Sequence, residues 1–225
     1  HKIVNSGTSI ENQRTELTEL FTKVGRIQFL ILALIASGVV FFGKFFIVRI
    51  WAGRGYEDSY IVALLLIIPS SIALIQNLGI EIQRAEFKHQ FRSIVYVGMA
   101  CINLIMSIIL CKKYGAIGSA IGTAFSLVVA NGCIMNIYYH KKCNINIIYF
   151  WKSIGKLAMG MIIPMIFGGI MKGFLNIDSI VAYLLEILIY VLVYAVSMWK
   201  IGMNNYEKNL FQSVLGKFIK KKDKR

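Results

Sequence analysis

Few residues in this chain have the types and spacing to do chemistry, and most of them lie inside long apolar runs. Glu186 is the eighth residue of the run Ser179–Trp199, so it sits roughly 10 Å below the nearer end at 1.5 Å per residue. An ionised carboxylate in hydrocarbon costs about 2.5–3.5 kcal/mol on the insertion scale. Glu186 is therefore expected to be protonated, or paired across a cavity with Lys172, as a candidate for proton coupling. The plainer alternative is a neutral acid bonded to a neighbouring helix. Amides and hydroxyls form the second group. Gln76 and Asn77 close one apolar run, Asn103 and Ser107 share a face of the next, and Thr123, Ser126, Asn131 and Asn136 follow in a third. Such groups can bond sugar hydroxyls in a watery cavity, or a neighbouring helix at roughly 0.6–2 kcal/mol each. Taken singly, each is explained by an interhelical bond; together they point to a wet face.

Enzyme signatures are absent: there is no HExxH, GxSxG, Walker loop or GxGxxG. His1, His89 and His140 are isolated. Cys101, Cys111, Cys133 and Cys143 form no CxxC pair and no His/Cys cluster, so no disulfide framework, metal site or cofactor is expected.

The elements that must position these groups follow from composition. Of 225 residues 57% are apolar and only 16% charged, against roughly 25% in ordinary soluble domains. A mean hydropathy of +0.65 excludes disorder and argues against a soluble globule. Six apolar runs of 17 to 23 residues stand out: Ile27–Val48, Tyr60–Ile80, Ile94–Leu110, Ala116–Tyr138, Ile154–Ile170 and Ser179–Trp199. Each suffices to cross ~30 Å of hydrocarbon as a helix. Period-2 alternation is missing, so the expected fold is all-α: a polytopic membrane protein with six transmembrane helices. Residues 1–26 form an amphipathic cytoplasmic segment, 27–199 the transmembrane domain, and 200–225 a basic cytoplasmic tail.

Lys and Arg set the orientation. Eighteen of them fall on the side shared by both termini and the even-numbered connections, and five on the other, which places both ends in the cytoplasm. Trp51, Tyr56 and Tyr60 mark one interface, and Tyr138, Tyr139, Tyr149, Phe150, Trp151 and Trp199 the opposite one. Ile10–Arg26 repeats Leu17, Leu20, Phe21 and Val24 at helical spacing, after a capping pair Thr8 and Glu11. Tyr206, Leu210, Val214 and Phe218 make a second stripe, followed by basic residues that suit anionic headgroups. Both are expected to lie on the membrane or to pack on the protein as surface helices. The net charge of +14 is assigned to the membrane surface; nucleic acid is not expected as a partner.

Gly115, Gly118 and Gly122 open the fourth run, and the last two form a GxxxG that lets two backbones approach, for packing or for sliding. Pro69 and Pro164 fall inside runs, where proline kinks a helix. Lys44 and Lys156 lie near run ends and snorkel.

Several stretches carry a family resemblance: Phe42–Tyr60 (FGKFFIVRIWAGRGYEDSY), Pro69–Ser93 (PSSIALIQNLGIEIQRAEFKHQFRS), Asn103–Ser126 with its KYGAIGSAIGTAFS, Asn136–Lys142 (NIYYHKK) and Phe150–Lys152 (FWK). In their order and spacing the chain resembles the C-terminal part of bacterial polysaccharide repeat-unit flippases. These are the O-antigen and capsule transporters of the multidrug/oligosaccharidyl-lipid/polysaccharide exporter superfamily. The resemblance implies half of a MATE-like helical bundle in the inner membrane, working by alternating access without ATP hydrolysis by this chain. Its members typically carry 12 to 14 spans, and this chain opens on His1 and not on Met. A piece of a longer protein is therefore expected, with the missing N-terminal half as partner and much of the cationic cavity in that half.

The implied substrate is an undecaprenyl-diphosphate-linked oligosaccharide. Its diphosphate needs cations, its sugars need amides and hydroxyls, and its prenyl tail can stay in lipid. Arg84, Lys88 and Arg92 stand on the cytoplasmic side and Arg49 and Arg54 on the outer side, where guanidinium forks suit phosphate. Gln76, Asn77, Asn103 and Asn131 are the sugar candidates. The plainer account of each cation is a topological charge or headgroup contact. The alternatives for the whole are a drug/cation antiporter of the same superfamily, a membrane-embedded glycosyl polymerase or acyltransferase, and a non-transporting remnant. An enzyme would need a substantial loop, and the outer loops here are short.

Overall fold

The computed structural model describes residues 10–174 and 180–222, and every element among them is helical. The capping pair begun by Thr8, the first residue of the last expected span (Ser179), and the side chains of Val214, Phe218, Lys217 and Lys220 to Lys222 lie outside what is described. Helix α1 (Ile10–Phe45) runs on through a wide π-helical turn at Phe46–Trp51. There follow α2 (Glu57–Ile75), α3 (Leu78–Ala85), α4 (His89–Leu127), a π-helical turn at Val128–Ile134 and α5 (Met135–Lys142). Then come α6 (Ile147–Ala158), a tighter 3₁₀ turn at Met159–Met161, α7 (Ile162–Phe174), α8 (Ile180–Ser197), a π-helical turn at Met198–Gly202 and α9 (Asn205–Lys222). The chain forms two compact units, His1–Ile154 and Gly155–Arg225.

Five continuous helical segments among the described residues are long and apolar enough to cross a membrane, where the sequence has six apolar runs. The third and fourth runs share one segment, His89–Lys142, of 54 residues. That segment breaks at Gly115, whose φ of 58° and ψ of −138° belong to a region that side chains with a Cβ avoid. The two arms fold back on each other. Thr123 donates to Asn103 Oδ1 at 3.3 Å, Ser107 Oγ lies 3.3 Å from the Ser119 carbonyl oxygen, and Lys88 Nζ donates to the Lys142 carbonyl at 2.8 Å. The pairs close on the bend, so His89–Lys142 is an antiparallel hairpin of two membrane-length arms: the part of α4 before Gly115, and the rest of α4 continued through the Val128–Ile134 turn into α5.

Small residues let the arms meet. A Cβ on Gly118 would stand 2.2 Å from the Leu110 carbonyl oxygen, and one on Gly122 would stand 2.8 Å from Ser107 Oγ. The GxxxG therefore packs the hairpin on itself. Helices α1 and α2 also run antiparallel, with the Tyr60 hydroxyl donating to the Val40 carbonyl at 2.6 Å. The second apolar run stops at Ile75, not Ile80: Gln76 leaves the helix (φ −106°, ψ 13°) and α3 starts afresh. Pro69 lies buried inside α2, whose helix continues past it.

The first unit's core gathers the front of α1 against α3, α5 and α6. Phe21 is fully buried, its ring 4.7 Å from Phe150 and 5.8 Å from Tyr139 between centroids. Burying such a side chain contributes about 1.5–3 kcal/mol. Ile10–Arg26 is thus the leading part of one 36-residue helix, with Leu17 and Phe21 inward and Leu20 exposed. Thr18 accepts the Asn146 N–H at 2.9 Å, and Arg26 donates to the Ser153 carbonyl at 2.8 Å.

In the second unit, Gly160 and Gly202 meet at Met198. A Cβ on Gly160 would lie 2.8 Å from Met198 Sδ and 3.2 Å from the Gly202 backbone. Ser197 donates to the Gly160 carbonyl at 2.7 Å. The fifth apolar run is interrupted at Met159–Met161, so Pro164 falls in the first turn of α7. There its missing N–H costs nothing, because first-turn N–H groups have no intrahelical partner. Helix α9 opens with a reciprocal cap: Asn204 N–H to Glu207 Oε2 and Glu207 N–H to Asn204 Oδ1, both 2.9 Å.

Candidate functional site

The His89–Lys142 hairpin carries a partly buried polar seam. On its first arm, Arg92, Tyr96, Asn103 and Ser107 recur at spacings of four, seven and four, which keeps them on one face. The second arm answers with Ser119, Thr123, Ser126 and Asn131. From Arg92 to Ser107 the seam runs roughly 22 Å along the helix, most of a ~30 Å hydrocarbon layer.

At the tip-proximal end, Ser107 donates to Asn103 Oδ1 at 2.9 Å, and Thr123 reaches the same oxygen. A cavity of about 170 Å³ follows, lined by Tyr96, Asn103, Thr123 and Ser126 among others, with room for several waters. Ser126 Oγ is buried without a hydrogen-bond partner. Below it, Tyr96 donates to Asn131 Oδ1 at 2.7 Å, while Asn131 Nδ2 donates to the Leu127 carbonyl at 3.2 Å. Arg92 closes the seam. It donates to the Tyr139 hydroxyl at 2.8 Å and to the Tyr96 hydroxyl, and its guanidinium lies 4.7 Å from the Tyr96 ring centroid. No carboxylate pairs with Arg92 among the described residues, so its positive charge remains available to an anion. Tyr139 is fixed from behind by Gly79, where a Cβ would stand 2.4 Å from the ring.

The other candidates are placed differently. Arg84 is exposed and bonded to Glu81 at 3.0 Å. Lys88 is engaged by Glu86 at 3.0 Å besides its bond to Lys142. Burial alone would lower the Lys88 pKa; the Glu86 carboxylate reverses this and holds it above the usual lysine range. Burial pushes the neighbouring Cys143 thiol up to about 12. Arg49 and Arg54 are exposed near the α1–α2 turn, and Asn77 is exposed at the α2–α3 break. Gln76 is buried, and neither polar atom of its side chain finds a partner. The same holds for Gln83, which the sequence reading passed over. Each such atom costs about 1–3 kcal/mol unless water or a ligand satisfies it.

Tyr96 was not singled out in the sequence, and Tyr139, expected as an interfacial aromatic, is instead buried against Arg92. For Tyr96 a signal was present, since it lies four residues from Arg92 and seven from Asn103. For Tyr139 the signal was only an aromatic ring near a run end; its contact with Arg92 depends on the two arms of the hairpin closing.

In the second unit Glu186 belongs to a buried stripe on α8: Tyr183, Glu186, Tyr190, Tyr194 and Ser197, one per turn. No hydrogen bond or ion pair of Glu186, with Lys172 or any other group, is found among the described residues.

The fold and this seam define an all-α protein with membrane-length helices and a row of polar side chains between the arms of one hairpin. No protein-family model, no curated protein and no solved structure matches the chain.

Proposed function

We propose that the chain is part of a flippase that moves undecaprenyl-diphosphate-linked oligosaccharide repeat units across the bacterial inner membrane by alternating access. Both termini lie in the cytoplasm, and a preceding N-terminal half completes the transport path. The single supporting observation is the hairpin seam: amides and hydroxyls suited to sugars, ending at a guanidinium without a carboxylate. Under the charge-bias orientation Arg92 faces the cytoplasm, where such a diphosphate would first be met, and its donors would move from phenol oxygens to phosphate. Asn103 and Asn131 would meet the sugars.

The experiment is complementation of a strain lacking its own repeat-unit flippase by the full-length gene. Surface polysaccharide and accumulated lipid-linked oligosaccharide are read for the parent, Arg92→Gln and Arg92→Lys. Restoration by the parent, a loss of at least tenfold in Arg92→Gln and partial retention in Arg92→Lys are expected. No restoration by the parent would reject the reading. Unchanged transport by Arg92→Gln at equal membrane abundance would reject the role of Arg92. The unpaired Glu186 favours one second reading, a drug/cation antiporter, for which the readout is drug resistance lost in Glu186→Gln.

A further inference from the structure

We propose that the groove between α7 and α8 holds one anionic phospholipid, with an acyl chain along the groove and its phosphate on Lys200. The groove has a volume of about 450 Å³ and is walled by Ile163, Leu192, Val193, Val196 and Ile201, with Lys200 at one end. All but Val193 of these apolar residues are exposed. From Leu192 to Lys200 it extends roughly 12 Å along the helix, a length suited to part of an acyl chain.

The local sequence explains why a groove forms. Gly160, Gly202 and Met198 draw α7's start and α8's end together, and the groove opens beside this contact, with Ile163, Val193 and Val196 on its walls. The charge at the mouth selects the occupant. Lys200 is exposed and makes no ion pair among the described residues. The nearest acid along the chain, Glu207, is buried and turned back to cap Asn204, so it leaves that ammonium unneutralised. Trp199 precedes Lys200, and the backbone becomes extended at Met203 (ψ 138°), where α8 gives way to the basic helix α9. An aromatic ring, a free cation and the exit of the chain thus coincide at one level, the arrangement of a membrane interface. An apolar slot ending in a lone cation at that level fits an anionic lipid better than a zwitterionic one. The inference needs only the membrane setting, not the transport reading.

The test is native mass spectrometry of the full chain in detergent with phosphatidylglycerol and phosphatidylcholine. The parent is expected to retain one phosphatidylglycerol with at least fivefold preference. Lys200→Gln should bring the ratio near one. Val196→Trp, at an outward position that leaves the fold intact, should reduce retention of both lipids at least fivefold. Lys208→Gln should leave the preference unchanged. Equal retention by the parent, or a preference that survives Lys200→Gln, would overturn the proposal. So would one-for-one displacement by a polyprenyl phosphate, which would reassign the groove to substrate. Failed complementation with the lipid preference intact would reject the transport reading alone.

Discussion

Single atoms decide which residues tolerate change. Gly118 and Gly38 both lie in helices, but a Cβ on Gly118 would meet a backbone carbonyl at 2.2 Å, and one on Gly38 would meet nothing within 4 Å. Backbone cannot swing aside as a side chain can. Gly118→Ala is therefore expected to destabilise by about 1–3 kcal/mol, and Gly38→Ala to be neutral or slightly stabilising. Thermal unfolding in detergent of the two variants checks this; equal effects would refute the packing account. Cys143 offers a second residue-scale outcome. Maleimides and related reagents attack the thiolate, and burial holds this thiol near 12. At pH 8 it stays protonated, and its alkylation is expected to rise only as pH climbs well above 9. Comparable rates for Cys143 alone and for a model thiol at pH 8 would contradict its burial.

At the scale of elements, the hairpin is decided by one backbone conformation. Gly115 has open space around it, so a methyl group there clashes with nothing outside its own backbone. The cost of Gly115→Ala is then purely torsional, about 1–3 kcal/mol, and it falls on the turn alone. Cysteines placed at Asn103 and Thr123 report on the arms. Rapid cross-linking is expected in the parent background and slower cross-linking with Gly115→Ala. Equal rates would mean that the bend does not depend on glycine. Helix α6 and the turn after it show the same lesson in reverse. The apolar run Ile154–Ile170 reads as one helix, yet a 3₁₀ turn divides it, because Gly160 is drawn against Met198 and Gly202. Its proline, which invites the word kink, lies harmlessly in a first turn.

For the whole molecule, the decisive fact is the number of crossings. A straight His89–Lys142 helix would extend roughly 80 Å at 1.5 Å per residue, far beyond a ~30 Å hydrocarbon layer. Folded at Gly115, it brings Lys88 to Lys142 and leaves Lys112 and Lys113 at the opposite end. Cysteines at positions 88 and 142 are expected to react with a membrane-impermeant reagent from one side, and one at position 113 from the other. Reaction of all three from the same side would remove the membrane reading and the transport proposal with it.

The apolar runs, the helical period and the helix-forming composition were enough by themselves to establish an all-α chain with membrane-length helices, because hydrocarbon demands internally bonded backbone whatever the neighbours are. The polar residues of the hairpin were visible too, as amides and hydroxyls at helical spacing. What they touch was not. That Asn131 meets Tyr96, that Arg92 spends its donors on two phenols, and that Gln83 is left without a partner all depend on contacts between residues far apart in the chain. So does the choice, among the five candidate cations Arg49, Arg54, Arg84, Lys88 and Arg92, of Arg92 as the one in the seam. Arg84 and Lys88 look equivalent in sequence, but Glu81 and Glu86 fold back to neutralise them. Local periodicity is a property of one helix; pairing across helices is fixed only when small residues such as Gly79, Gly118 and Gly122 let the backbones close.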